Sequence, residues 1–373
     1  MKKGIVTISA LLIAMVFLIV GCPTANLTVS PQIVGEWRLQ GPESEVGVTA
    51  GIAGEIGGRD YLFLGDLLSE DNGKLVETSI RIIDLEDPAN PVEVGHLKAT
   101  DNDNNNLHYI MDMELSGTVI YILADNYLWT VDVSNPSAPR DIAKFSTQYW
   151  LLQLAISGEY AYVSTYKNTN EVGIIVVDIS DPALPKEVGT SELLPLAVGG
   201  FKTPGSSLFV ITEDGLHIVD ISSPSSLKEI GFVPNPSVAP GEGQDSFQDI
   251  AVAGRYAYIT SRESGLHVLD ISSPDSPHEI ANLDSEEIAS SILVSENLAY
   301  IVDWRTLTSM EGNTTPILII DISDPGEPEA LASVELPVQS GNFHFTEDNN
   351  HIYFFGNADP FVRIVNVYAP MAN

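Results

Sequence analysis

Cysteine is almost absent from this chain. Cys22 is the only one in 373 residues, so no intramolecular disulfide can form. Basic residues are also scarce: 17 Lys and Arg stand against 51 Asp and Glu, for a formal charge of −34. Nucleic-acid binding needs a basic stripe to neutralise phosphates, so that class is excluded. An acidic surface suits solubility, cations, cationic ligands or saline surroundings. Several signatures of chemistry are missing too. There is no G-x-S-x-G elbow, no H-E-x-x-H, no phosphate-cradling loop and, beyond Cys22, no thiol. The apolar fraction of 44% is ordinary for a globular protein, so a large core can form.

What is present begins at the front. Lys2 and Lys3 precede an apolar run over residues 4–20, followed by Ile19-Val20-Gly21-Cys22. A basic start, an apolar stretch and a small residue before the cut make an export signal. The last four residues resemble a bacterial lipobox, in which the cysteine becomes the lipidated first residue. The expectation is a signal peptide over 1–21, then the lipidated Cys22 and a short polar tether over 22–32. The body would be extracytoplasmic, held to the membrane by a lipid at Cys22. An uncleaved membrane anchor is the alternative.

The body is a repeat. A segment of the form I-D-I-S-x-P-x-x-P-x-E-[IV]-G returns around Asp84, Asp132, Asp178, Asp220, Asp270 and Asp321, and in decayed form around Asn366, at intervals of 42 to 51 residues. A period of that length with strand-like content predicts a propeller or solenoid, and repeats join into one body. The clearest copy, over residues 247–283, reads as four strands: Phe247-Gln-Asp-Ile-Ala-Val-Ala, Tyr256-Ala-Tyr-Ile-Thr, Leu266-His-Val-Leu-Asp-Ile and His278-Glu-Ile-Ala-Asn-Leu. A Gly turn, a short loop and a Ser/Pro turn join them. Four antiparallel strands make one blade, with strands A to D running from the axis outward. Seven copies predict an all-β, seven-bladed propeller over residues 33–373. The last copy stops after its C strand, while residues 32–37 resemble a D strand. The N-terminal strand should therefore complete the last blade and close the ring.

The residues Val176-Val-Asp178-Ile-Ser, Ile218-Val-Asp220-Ile-Ser and Val268-Leu-Asp270-Ile-Ser resemble the signature of the LVIVD-repeat family of secreted β-propellers. So does the companion strand Asp249-Ile-Ala-Val-Ala-Gly-Arg-Tyr-Ala-Tyr-Ile-Thr260. The resemblance covers about residues 33–370. It implies the fold and a surface or extracellular setting, and it carries little function, because propellers host unrelated activities.

Residues shared by every blade serve the fold. The marker aspartates sit before Ser/Pro turns, where a short carboxylate accepts turn N–H groups. Tyr162, Tyr258 and Tyr300 read as packing between blades, and His217 and His267 as packed or hydrogen-bonded repeat residues. Aligning the A strands on their turns gives a ring of Gly54, Asp112, Gln153, Gly200, Asp249, Ser291 and His344 near the axis. This ring is either a wet structural channel or a site for a cation or small polar ligand.

The A–B and C–D links are short. The D–A and B–C links share the other end and are long and irregular, over residues 66–79, 99–106, 166–172, 234–246 and 303–316. They carry Asp66, Glu70, Asp71, Asp101, Asp103, Glu242, Asp245, Asp303 and Glu311. Long loops on a rigid scaffold are where binding usually lies. Within them Asp101, Asp103 and Asn105 have the alternate spacing that can wrap a calcium ion, with Asn106 able to take a left-handed turn and Asp112 at the twelfth position. No helix follows, unlike an EF-hand.

Three functional readings stand. The first is an envelope-anchored, non-catalytic scaffold that binds a protein, glycan or cation through the acidic loop face. The second is an extracytoplasmic hydrolase or lyase with an axial carboxylate/His site. The third is a structural component of the envelope or surface layer.

Overall fold

A computed structural model of the chain describes residues 32–39, 46–69, 75–101, 105, 107, 109–168, 171–191, 197–236, 245–284, 289–303, 315–336, 343–347, 351–356 and 359–366. Residues 1–31, which include Cys22 and most of the expected signal and tether segments, lie outside them. The described residues form 28 strands and no helix, arranged as seven four-stranded antiparallel sheets. Blade 5 is typical, with strands Phe247–Ala253, Tyr256–Ser261, Gly265–Asp270 and His278–Leu283 in spatial order. The seven A strands touch one another in sequence around a closed circle, from blade 1 to blade 7 and back.

Each sheet packs on two neighbours, so its middle strands are apolar on both faces. The B strand Ser207–Thr212 is buried at every position. The core is a set of clusters between adjacent blades, such as Tyr121, Leu123 and Leu128 of blade 2 against Leu154, Val163 and Val177 of blade 3.

The structure gives each repeated residue a task. Six marker aspartates accept the N–H two residues on: Asp84, Asp132, Asp178, Asp220, Asp270 and Asp321 bond the amides of Glu86, Ser134, Ser180, Ser222, Ser272 and Ser323 at 2.8–3.0 Å. The glutamate or aspartate that opens the D strand reaches back twelve residues to a polar side chain on strand C. Arg81 meets Glu93, Trp129 meets Asp141, His217 meets Glu229 and His267 meets Glu279, at 3.1–3.3 Å. The D-strand glycine lies against the C–D turn of the next blade. A Cβ on Gly95, Gly189 or Gly231 would stand 2.0–2.3 Å from the carbonyl oxygen of Pro136, Pro224 or Pro274. The tyrosine hydroxyls cross the same boundary, from Tyr121 to the Ile179 carbonyl and from Tyr162 to that of Ile221, at 3.5 and 3.3 Å.

Ring closure follows the same rules. Strand Gln32–Arg38 pairs antiparallel with Asp359–Asn366 and supplies the D strand of blade 7, beside Phe343–Glu347 and His351–Gly356. Gly35 then sits against the carbonyl of Pro88 in blade 1, just as the other D-strand glycines meet the next blade's turn.

Some links are shorter than expected. Strands Arg59–Ser69 and Leu75–Asp84 stay paired almost to their tips, with Asp66 opposite Ser79, so most of the expected 66–79 loop is sheet. Tyr166 pairs with Val172 in the same way, and Asp303 ends a strand opposite Ala289.

Candidate functional site

The axial ring forms as the strand period requires, with one correction. Asp112, Gln153, Asp249, Ser291 and His344 occupy equivalent A-strand positions, paired with Leu123, Ser164, Thr260, Val302 and Phe355. Blade 1 contributes Ala50 rather than Gly54. Its A–B hairpin runs two residues further on each strand before turning at Gly57 and Gly58, which both have positive φ, so counting from the turn overshoots. In most blades a bulge just before this position re-aims the side chain. The His344 side chain lies outside the described residues.

Three of these side chains staple one innermost strand to the next. Asp112 accepts its own neighbour's N–H, from Met113, and that of Leu154 in blade 3, both at 2.8 Å. Asp249 does the same with Ile250 at 2.8 Å and Ile292 of blade 6 at 3.1 Å. Gln153 donates its amide to the Gly199 carbonyl of blade 4, while its side-chain oxygen is buried without a partner. Gly200 must lack a side chain because a Cβ there would lie 2.4 Å from Ile250 and 2.9 Å from the Asp249 carboxylate. Burial raises both aspartate carboxyls above the usual range, against the pull of Lys202 and the backbone N–H groups.

Two residues along, a second ring faces the same way: Ile52, Glu114, Ala155, Lys202, Ala251, Leu293 and Thr346, each opposite the B-strand residue equivalent to Tyr121. It holds two charges of opposite sign that the sequence reading passed over. The signal was available, since residues i and i+2 of a strand share a face. Glu114 is half-buried, and burial with the neighbouring Asp112 charge pushes its carboxyl up to about 7, with Lys202 opposing. Burial alone would lower the Lys202 ammonium, but Glu114, Asp249 and Asp112 together outweigh it and raise it. Lys202 is accessible to solvent while surrounded by protein, as a group in a narrow wet channel should be. Neither Glu114 nor Lys202 makes a hydrogen bond or an ion pair within 4 Å among the described residues.

At the loop end, two of the expected surface acids are structural. Asp66 is fully buried, accepting from Ser79 and from Arg81 Nε at 2.7 Å, with Arg81 also bonded to Glu93 at 3.1 Å. Burial raises its carboxyl, with Arg81 and Ser79 opposing. Asp245 is buried and holds the B–C turn of blade 5 through the Glu263 N–H at 2.8 Å and the Ser264 hydroxyl. Ser264 in turn contacts His267 at 2.8 Å, and Asp214 makes the matching contact to His217 at 2.9 Å. Both histidines are buried links between a B–C turn and strand D.

Asp101 and Asn105 clasp each other. The Asn105 N–H and side-chain amide donate to the two Asp101 oxygens at 2.8 and 2.9 Å. Asp103, Glu70, Asp71, Glu242 and Glu311 lie outside the described residues, as does the Asp303 side chain. No group of three or more His, Cys, Asp or Glu among the described residues is placed to hold a metal ion. Large apolar side chains do surface at this end: Tyr109, Met111 and Trp150 are 49%, 38% and 50% exposed, at the starts of the A strands of blades 2 and 3.

The comparisons agree with this architecture. The family model of the LVIVD repeat matches residues 109–147, 152–192, 208–234, 246–285 and 288–335, just over half of the chain. No curated protein matches. Among solved structures, the β-propeller domain of Myceliophteria thermophila Cps50 (Swd1) aligns at 12% identity over 91% of this chain and 100% of that one, with a TM-score of 0.61. A chain of the mitotic checkpoint complex aligns at 11% identity over 95% and 99%, with a TM-score of 0.57. The computationally designed Ika8 protein aligns at 11% over 88% and 98%, at 0.53. At such identity the likeness carries the fold alone. The repeat, the register and the matched segments lead to one conclusion: this chain belongs to the LVIVD repeat family.

Proposed function

We propose that this protein is a lipid-anchored, extracytoplasmic binding scaffold whose partner docks on the loop-rich end of the propeller. The observation that carries this reading is the exposure of Tyr109, Met111 and Trp150 at that end. Amphipathic aromatic side chains left in water on a rigid framework are typical of binding surfaces. At the opposite end the exposed large side chains are aliphatic, Val92 and Leu184, and the tight turns have their polar groups already bonded within the repeat. The anchor rests on Cys22, the lone cysteine, at the lipobox position of the sequence.

A Y109S/M111S/W150S variant tests the face. In affinity capture from envelope extract it should lose the partner that the native chain retains, with its melting temperature unchanged. Equal capture by both proteins would sink the proposal. The anchor is tested separately, because Cys22→Ser should abolish labelling by a fatty-acid probe and release the protein from the membrane fraction.

The enzyme reading has one feature in its favour, the Glu114 carboxyl near pH 7, where general acid–base groups operate. Against it, the Asp112 and Asp249 carboxylates each accept two backbone N–H groups, which ties them to the scaffold.

A further inference from the structure

Glu114 and Lys202 stand at the same level of the channel wall, in blades 2 and 4, with only Ala155 of blade 3 between them. Lys202 is exposed to the solvent of the channel and Glu114 is half-buried, so both charges are open to a ligand. These two do not come within 4 Å of each other. Other side chains on this ring are apolar, with half-buried Ile52 and Leu293 in blades 1 and 6, while Thr346 in blade 7 is already engaged by the Ala53 N–H at 3.1 Å. One ring above, the Gln153 side-chain oxygen is an unused acceptor.

We propose that the channel at this level binds a small zwitterion, an α-amino acid with an apolar side chain. Its ammonium would face Glu114, its carboxylate Lys202, and its side chain Ile52 and Leu293. The charge pattern selects this class. A simple anion would face the Asp112, Glu114 and Asp249 carboxyls, and a simple cation would answer Glu114 but leave Lys202 without a ligand group. A molecule with both signs places each against its opposite and adds no net charge. Charge-assisted hydrogen bonds at both ends would supply affinity and orientation. Asp112 and Asp249 stay outside the ligand set, held by the backbone groups they already bond. This site is independent of the docking face proposed above, so the failure of either leaves the other standing.

Titration calorimetry on the full chain in mild detergent at pH 8 tests it, with L-leucine, glycine, sodium acetate and methylammonium chloride as probes. Leucine should bind, glycine more weakly, and the two simple ions at least about tenfold more weakly than leucine. Glu114→Gln and Lys202→Met should each weaken leucine binding by about tenfold or more, with melting temperature as the folding control. Leu293→Ser, which leaves both charges in place, should erase the preference for leucine over glycine. No leucine binding up to about 10 mM, a Kd that corresponds to under about 3 kcal/mol, would overturn the proposal. So would acetate or methylammonium matching leucine, or folded Glu114 and Lys202 variants that bind leucine as the native chain does.

Discussion

Gly35→Ala probes how the ring is closed. The added methyl would start 1.8 Å from the Pro88 carbonyl oxygen, and the obstacle is backbone that cannot swing aside. The seam between blades 7 and 1 must open by about 1.5 Å to restore van der Waals contact, and overpacking of this kind costs roughly 1–3 kcal/mol. Alanine also stiffens the unfolded chain, which returns about 0.4–1 kcal/mol. The net loss is about 1 kcal/mol. With an unfolding entropy of about 2 cal/mol/K per residue over roughly 300 ordered residues, that lowers the melting temperature by about 2 °C. Gly95→Ala is the internal twin, because its methyl would start 2.0 Å from the Pro136 carbonyl. Differential scanning calorimetry of both variants decides the matter. Equal losses are expected. A Gly35→Ala protein as stable as the native one, beside a weakened Gly95→Ala, would falsify closure through the N-terminal strand.

Other expectations follow from the charged groups. The Glu114 carboxyl is raised from 4.5 to about 7, so its stabilising contribution is complete below pH 4.5 and is lost as the pH rises through 7. Glu114→Gln should therefore gain about 1–3 kcal/mol over the native chain at pH 8 and nothing near pH 4.5, as read from urea midpoints. Asp132 moves the other way, held down to about 2 by hydrogen bonds from Ser134 and Arg140. Its contribution exists above pH 3.8 and fades as the pH falls through 2, so Asp132→Ala should cost only about 0.5–1 kcal/mol at pH 7, solvent screening keeping it small. Arg81→Met leaves Asp66 buried with only Ser79, and chemical denaturation should show a loss of about 3–5 kcal/mol. Restoring most of that loss with Asp66→Asn in the same chain would mark the uncompensated charge as its cause.

The period of the marker aspartates was enough to read the blade count, strand order and closure, because each depends on local spacing and turn chemistry. Asp132 and Asp178 announce their turns within two residues. Asp66 and Asp245 were misread as loop acids because their partners, Arg81 and Glu263, lie 15 and 18 residues away, across a hairpin or a connection between blades. Gly54 stands two strand periods past the true ring residue, Ala50, because the hairpin at Gly57 and Gly58 is longer than its counterparts. Glu114 and Lys202 escaped notice since each is the sole charge at its repeat position on its side of the ring, and only the closed circle brings blades 2 and 4 onto one channel. A linear repeat shows which face a side chain shares, but not what stands across the axis from it.

The entry of the first strand also sets how the molecule would stand on a membrane. Gln32 pairs with Asn366, at the place where the other D strands leave their C–D turns, so the chain arrives at the short-turn end. A lipid on Cys22 would connect through about ten residues, a leash of at most about 35 Å when fully extended. The propeller would then rest turn-side down, with Tyr109, Met111, Trp150 and the channel mouth turned away from the bilayer. Attachment and recognition would occupy opposite poles of the ring, and a partner could be met without competing with the membrane for space.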